Sequence, residues 1–560
     1  MAGAGVLAGA GAGPAAGRAS ASSTATAAAA QERGAGRLST VVVGDLAGVS
    51  AAIERPGGFV LAGAQWSGPR AARIELRARG RGGRWSRWAT ASVAGHEPDR
   101  PAGPGDERFG EPLWFGPSDA LQARAPEPVR GLCLHLVAAD HGPVAATERA
   151  AARPRLTPVP YPLAQPVLAA GPGQPPIIAR SAWAGNHHGP AGGPYYGAVR
   201  LAFVHHTESP NGYSVDEVPA LILAIYDYHR YARGYFDIAY NFVLDSFGRI
   251  WEARAGGIDE PVIGAHAGGY NAVSTGIAVI GTFMYALPPP AALDALQRLL
   301  AWKLALHGVP SGGRVQVRVN PSDAFYTPFR PGQLVRLPRI AGHRDGDMTD
   351  CPGDDLYHRL PSIRARVGAL AGPPPRLTLV ASAATVPPAA PVTLSGALTD
   401  GSGAPVAGAG LQVQTVAGIG STTTVATVTT ATDGTWTATI TPVTSVVVRA
   451  LSAVAPAVAV SDLVLVGLIP TLTLTLTSAS PLRVGGTIVP AKRRVMLSVY
   501  RVARGRRHLV ATREVSARTG SFSARLSLGR RPRGSYVIVA RSPLDALTDA
   551  SASAPLTVTL

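Results

Sequence analysis

Between residues 153 and 176 the chain reads RPRLTPVPYPLAQPVLAAGPGQPP, and no helix survives that density of proline. Each ring fixes φ and removes an amide donor, so the segment must be an extended connector. A second break, AGPPPR, falls at residues 371–376. These two interruptions cut 560 residues into stretches of different texture. A chain this long exceeds what one core can organise, and about 100–200 residues per domain gives three to five units.

Residues 38–152 read as a β-rich module. GGFVLAGAQW, ARIELRARG, RWSRWATASV and GLCLHLVAAD alternate apolar and polar positions between Gly, Pro and Asp turns. Tryptophans 66, 85, 88 and 114 fall here, and they suit core packing better than stacking on sugar rings. Residues 177–370 mix α and β. SVDEVPALILAIYDYHRYAR has helical spacing, with Ser214 as N-cap and Glu217 three residues on. FDIAYNFVLDSFGRIWEAR predicts a hairpin about DSFG, and PPAALDALQRLLAWKLALHG an amphipathic helix closed by Gly308. Helices then vanish. Residues 376–467 and 470–560 are rich in Thr, Val, Leu and Ser, open alike, and each carry a DGTWTATI or TGSFSARL strand. They predict two immunoglobulin-like β-sandwiches. The fold class is therefore multidomain, a mixed-sheet α/β unit between all-β modules.

Lys and Arg outnumber Asp and Glu 52 to 35, an excess that suits an anionic partner such as an acidic cell-wall polymer. No block of five basic residues occurs, which speaks against a nucleic-acid tail. The last stretch concentrates Lys492, Arg493, Arg494, Arg504, Arg506, Arg507, Arg530 and Arg531, either a solvated face or a dock for an anionic polymer. No run of about 18 apolar residues exists, so no membrane span is expected. Residues 1–37 are low-complexity Ala, Gly and Ser. They lack a basic start and a leucine-rich centre, and resemble at most the back half of a signal peptide.

Two cysteines cannot form a disulfide framework. Cys133 sits in an alternating strand and reads as a buried small hydrophobe. Cys351 lies in AGHRDGDMTDCPG, a polar glycine-bounded loop, eight residues after His343. A histidine and a cysteine across such a turn can converge on one metal ion. The third ligand must come from elsewhere, and His205 or His206, ending the strand VRLAFVHH, is the best source. Side chains alternate along a strand, so only one of the pair can face the ion. His187, His188, His229 and His358 read as loop, surface or hydrogen-bonded histidines.

FVHHT, DIAYNFVLDSFGRIWEAR, GAHAGGYN, STGIAVIGTF and AGHRDGDMTDCPG occur in this order. Together they resemble the zinc amidase domain of peptidoglycan recognition proteins and type 2 N-acetylmuramoyl-L-alanine amidases, over about residues 177–368. The layout, with a β-rich module ahead of that domain, is similar to secreted actinobacterial amidases. The resemblance implies one Zn²⁺ on His205, His343 and Cys351. It implies catalytic roles for Tyr240 and Thr349, and substrate binding by His266, Asn271 and Arg254, the last the weakest match. The activity implied is cleavage of the amide between the lactyl group of N-acetylmuramic acid and L-alanine in peptidoglycan, by a secreted or wall-associated enzyme. One departure stands out: a glutamate base carried on the central strand in one branch of these amidases is replaced here by Ala278. Glu208 is a weaker base candidate. The alternative is a non-catalytic peptidoglycan-binding or wall-anchoring protein, and relatives of that kind commonly lack the third ligand.

Overall fold

The computed structural model describes residues 31–32, 38–69, 72–95, 98–99, 107–138, 173–185, 188–417, 421–453, 458–528, 533–545 and 547–560. The expectations for residues 1–37 (apart from Gln31–Glu32), for most of the proline-rich connector, and for His187, Arg530 and Arg531 lie outside them.

The first stretch builds a seven-stranded sheet around one long strand, Leu113–Val137. It pairs with Leu38–Val49, Ile53–Ser67 and Ile74–Gly80. Alternation sends Phe59, Trp66, Ile74, Leu76, Leu121 and Leu132 into the core. The tryptophans divide. Trp66 and Trp114 are buried, whereas Trp85 and Trp88 lie half-buried on the outer face. There Arg77 stacks 5.0 Å over Trp85 and 4.6 Å over Trp88, and Arg124 lies 4.7 Å over Trp88. These cation–π contacts make an Arg–Trp ladder. Cys133 departs from its expected burial. It is partly exposed, because its neighbours Leu132 and Leu134 take the inward positions of the strand.

The central stretch forms a six-stranded mixed sheet in the order Ile340–Gly342, Leu201–His206, Ser274–Val279, Phe242–Leu244, Ile250–Glu252, Ile177–Ile178. The first four run parallel, and Phe242–Leu244 pairs antiparallel with Ile250–Glu252 as the predicted hairpin. One face is covered by the helices Pro290–Leu306 and Asp354–Ala371. The other is covered by Val218–Asp227, whose entry is capped as predicted, with the Ser214 amide donating to Glu217 at 2.7 Å. Gly308 ends its helix with φ 65°, a conformation glycine adopts without strain.

The last two stretches are two-sheet β units, one with cores around Leu394, Val413 and Trp436, the other around Val484, Val495 and Ile538. Among the described residues no helix is long and apolar enough to cross a membrane.

Both neighbours pack on the central unit. Leu38, Val60, Leu61, Trp114 and Val137 of the first module join Val218, Leu221 and Ile222 in one apolar cluster. Gly63 completes that seam: any Cβ there would stand 2.1 Å from the Tyr228 ring. On the opposite side Leu451 and Val460 enter the core under Pro290–Leu306. Beside them the fully buried Arg449 pairs with Glu260 at 2.6 Å and Asp259 at 3.7 Å.

Candidate metal centre

The site forms where the parallel strands end. Leu201–His206 and Ser274–Val279 run side by side, pairing His205 with Ala278 and His206 with Val279. Ile340–Gly342 pairs on the other edge and delivers His343 one residue beyond its end. Carboxyl ends of parallel strands are where open α/β sheets commonly place their ligands. Alternation then separates the two adjacent histidines.

His205 faces His343 and Cys351. Ligating atoms of these three residues all lie within 4.8 Å of one another, and all three are buried. The rings of His205 and His343 are 4.5 Å apart, and Cys351 Sγ lies 3.7 Å from His205 Nδ1. Each imidazole is held from behind through its other nitrogen. His205 Nε2 meets His266 Nδ1 at 3.2 Å, and His343 Nε2 meets Asp347 Oδ2 at 3.2 Å. Such outer partners fix ring orientation and leave Nδ1 directed at the centre. Burial pushes the Cys351 thiol well above its usual range, so a cation beside it would be needed to favour the thiolate. Two imidazole nitrogens and one sulfur are a donor set that fits zinc with a position left for substrate.

His206 points the other way. Its Nε2 lies 3.3 Å from Glu208 Oε1, and its Nδ1 accepts from the Phe283 amide at 3.3 Å. Glu208 adopts φ 55°, unusual for a residue with a side chain. Its other carboxylate oxygen accepts from the Ser92 amide at 3.0 Å, so the Glu208 carboxylate is engaged on both sides.

Tyr240 is buried with its ring 5.3 Å from that of His205. Burial first, then the Glu111 and Cys351 charges, hold its phenol protonated far above its ordinary range. The Thr349 hydroxyl accepts from the Cys351 amide at 3.2 Å, and the residue borders an open cleft. The three residues expected to bind substrate all have partners within the fold. His266 is fully buried behind His205. Asn271 accepts from the amides of His266 and Ala267 at 2.8 and 3.0 Å, fastening their loop. Arg254 is buried at the seam with the first module, donating to the Ile238 carbonyl at 3.2 Å and paired with Asp99.

Several residues around the centre carried no signal in the sequence. Asp347 stood four residues after His343 in the quoted loop, and that spacing was its only sign. Ser92, Gly95, Asp99 and Glu111 come from the first module. A Cβ on Gly95 would stand 3.0 Å from both His343 Cε1 and Thr349 Cβ. Glu111 is buried at the same seam. Burial raises its carboxyl pKa, against the lowering influence of His229, Arg233, His343 and His206.

Residues 195–354 match the family model described as N-acetylmuramoyl-L-alanine amidase. Residues 14–157 match a second, described as Rv3811 N-terminal galactose-binding domain-like. Peptidoglycan-recognition protein 2 of Holotrichia diomphalia is 36% identical over 194 residues, 34% of this chain and 87% of that protein. The human N-acetylmuramoyl-L-alanine amidase is 30% identical over 197 residues, 34% of this chain but only 28% of that protein. Among solved structures, wild-type Drosophila PGRP-LB is 27% identical, with a TM-score of 0.26 covering 33% of this chain and 92% of that one. The chain belongs to the peptidoglycan recognition protein and N-acetylmuramoyl-L-alanine amidase family, through its central third.

Proposed function

We propose that this protein is a secreted, zinc-dependent N-acetylmuramoyl-L-alanine amidase. It would cut the amide between the lactyl group of N-acetylmuramic acid and the L-alanine of the peptidoglycan stem. The observation that carries the reading is the convergence of His205, His343 and Cys351 within 4.8 Å. A family member that only binds peptidoglycan has no need of a complete ligand set, and this favours hydrolysis over recognition alone.

His205 and His343 would hold zinc through Nδ1 and Cys351 through Sγ. Zinc held there supplies a nucleophile at neutral pH and a Lewis acid for an amide carbonyl. Tyr240, kept neutral by burial, is a donor for the carbonyl oxygen as charge builds on it. Thr349, at the cleft edge, orients that carbonyl. Asp347 and His266 hold the two ligand rings in register. Ala278 beside His205 offers no carboxylate, so the tyrosine and the metal must do what a strand-borne glutamate does in the other branch. His266, Asn271 and Arg254 then serve by shaping the site rather than by touching substrate.

The units 38–152, 177–370, 376–467 and 470–560 are read as a wall-directed β module, the catalytic domain and two immunoglobulin-like spacers. The net charge of +17 suits anionic wall polymers.

The test is zinc content by mass spectrometry together with release of new L-alanine amino termini from purified peptidoglycan. The wild type is expected to hold one zinc per chain and to release alanine termini without new reducing sugar ends. Cys351→Ser is expected to lose both metal and cleavage. Tyr240→Phe should keep its zinc and cleave about 100-fold more slowly. Full zinc without cleavage in the wild type would return the protein to the binding class.

A further inference from the structure

The cleft that opens beside Thr349 is not made by the catalytic unit alone. It encloses about 380 Å³. One wall is Met284, Tyr285, Met348 and Asp350 of the central unit, and the other is Arg73, Thr90, Ser92 and Val93 of the first module. We propose that the first module is a permanent wall of the substrate cleft, and that Arg73 on it receives a carboxylate of the acidic stem peptide. The occupant rests on the amidase reading; the wall does not.

Three observations make the module a wall rather than a detachable plug. Its body is fixed by the apolar cluster of Leu38, Val60, Leu61, Trp114 and Val137 on the helix Val218–Asp227. Polar contacts then pin it at the site: the Tyr228 hydroxyl donates to the Gly110 carbonyl at 3.0 Å and the Ser92 amide to Glu208 at 3.0 Å. Asp99 accepts from the Phe236 amide at 2.8 Å and pairs with Arg254. Finally, among the described residues Gly95 brings the module against His343 and Thr349, and it has no side chain to offer. A plug would place a donor where substrate belongs. Among the described residues, the convergent ligand group contains nothing from the first module. Glycine at this point lets backbone close the cleft without filling it.

The charges fit a peptide that carries both signs. Arg73 is exposed on one wall, and Asp350 is exposed on the other. A stem peptide presents free carboxylates to the first and, where its third residue bears an amine, an ammonium to the second. Arginine is the side chain suited to a carboxylate, because its planar fork donates two parallel hydrogen bonds.

The experiment uses the full-length, zinc-loaded chain with Arg73→Glu, Arg73→Lys and Thr90→Trp. Binding of a fluorescently labelled soluble muramyl tripeptide is measured by anisotropy, and kcat and KM are measured separately. Arg73→Glu is expected to weaken binding and raise KM about tenfold, with a much smaller change in kcat and unchanged zinc. Arg73→Lys should recover most of the loss, and Thr90→Trp, which narrows the cleft, should raise KM without touching the charge. Binding and KM equal to the parent in Arg73→Glu and Thr90→Trp would overturn the proposal, as would a rise in kcat/KM, the mark of a relieved plug. The two readings separate cleanly. A wild type that binds without cleaving, with binding weakened by these variants, sinks the amidase and keeps the wall. A wild type that cleaves, with indifferent variants, does the reverse.

Discussion

The central unit meets its two neighbours through seams built on different chemistry. The seam toward the first sandwich closes over a buried charge cluster. Arg449 is fully buried against Glu260 and Asp259, and Lys303 donates to the carbonyls of Ile258 and Glu260, both at 2.8 Å. Among the described residues this seam contributes none to the candidate metal centre. The seam toward the first module is mostly apolar in its body, with buried Glu111 and the Tyr228–Gly110 hydrogen bond among its polar contacts, and at its lip Ser92, Gly95 and Asp99 reach Glu208, His343, Thr349 and Arg254. One seam holds the parts together. The other also shapes the site.

The largest expected difference lies in stability. Arg449→Ala would leave two carboxylates buried beside one lysine, and breaking a buried pair in this way costs about 3–5 kcal/mol. Asp99→Ala should cost less, about 1–3 kcal/mol, because it leaves one buried guanidinium that keeps the Ile238 carbonyl, where Arg449→Ala leaves two carboxylates. Urea unfolding of the two variants measures this, and equal losses would erase the distinction between the seams.

Acid should act on one buried group near each seam in opposite directions. His135 sits in the first module between Thr40 and Gln65, at 2.9 Å from each. Burial, helped by Arg233 across the seam, lowers its pKa from 6.5 to about 4. Between those values the unfolded chain takes up a proton that the native imidazole refuses. Stability therefore falls as pH drops from 6.5 toward 4, by at most about 3 kcal/mol. Glu260 runs the other way. Burial raises it from 4.5 to about 7, against the pull of Arg449 and Lys303, with Asp259 adding to the rise. The native carboxyl then holds a proton that the unfolded one has lost, so its own contribution rises as pH falls from 7 to 4.5. Buried Glu111 adds a rise of the same sign at the first seam, and His307, held well below 6.5 by burial and by Lys303 and Arg449, adds a loss at the second. Single variants isolate the two named groups in urea unfolding: His135→Gln should flatten the loss between pH 6.5 and 4, and Glu260→Gln should remove the gain between pH 7 and 4.5. Unchanged pH profiles in both variants would contradict the assignment.

The smallest effect belongs to the Arg–Trp ladder on the outer face of the first module. Trp88→Ala removes the stacking partner of Arg77 and Arg124, which at a partly exposed site is worth about 1 kcal/mol or less. A thermal shift of the first module larger than its seam variants produce would mean that the ladder, not the docking, holds that module together.

The candidate centre was legible because its residues sit at positions that strand geometry constrains. His205 and His206 end one strand and His343 follows another, so alternation left one of the pair to face the site, and the family resemblance named His205. The capped helix at Ser214 and the hairpin at Asp245–Gly248 were legible for similar local reasons. The surroundings were not. The substrate-binding roles expected of His266, Asn271 and Arg254 came from motif matches alone, and the hydrogen bonds these side chains make within the fold carried no sign in the sequence. Gly95 and Asp99 act on residues more than a hundred positions away, and nothing in a glycine or an aspartate near a turn announces such a partner. Cys133 shows the same limit on a smaller scale: alternation was right, but its phase was off by one.

Gly63 carries a consequence for how this architecture could be inherited. The Tyr228 ring occupies the space where any side chain at residue 63 would begin. The two surfaces are therefore cut to one another, and a central third moved next to an unrelated partner would carry an aromatic knob with no socket and an uncovered face of Val218, Leu221 and Ile222. Domain shuffling that joins such units end to end would yield a poorly soluble protein until a matching notch arose. The first module and the central unit should thus travel through evolution as one exchangeable cassette.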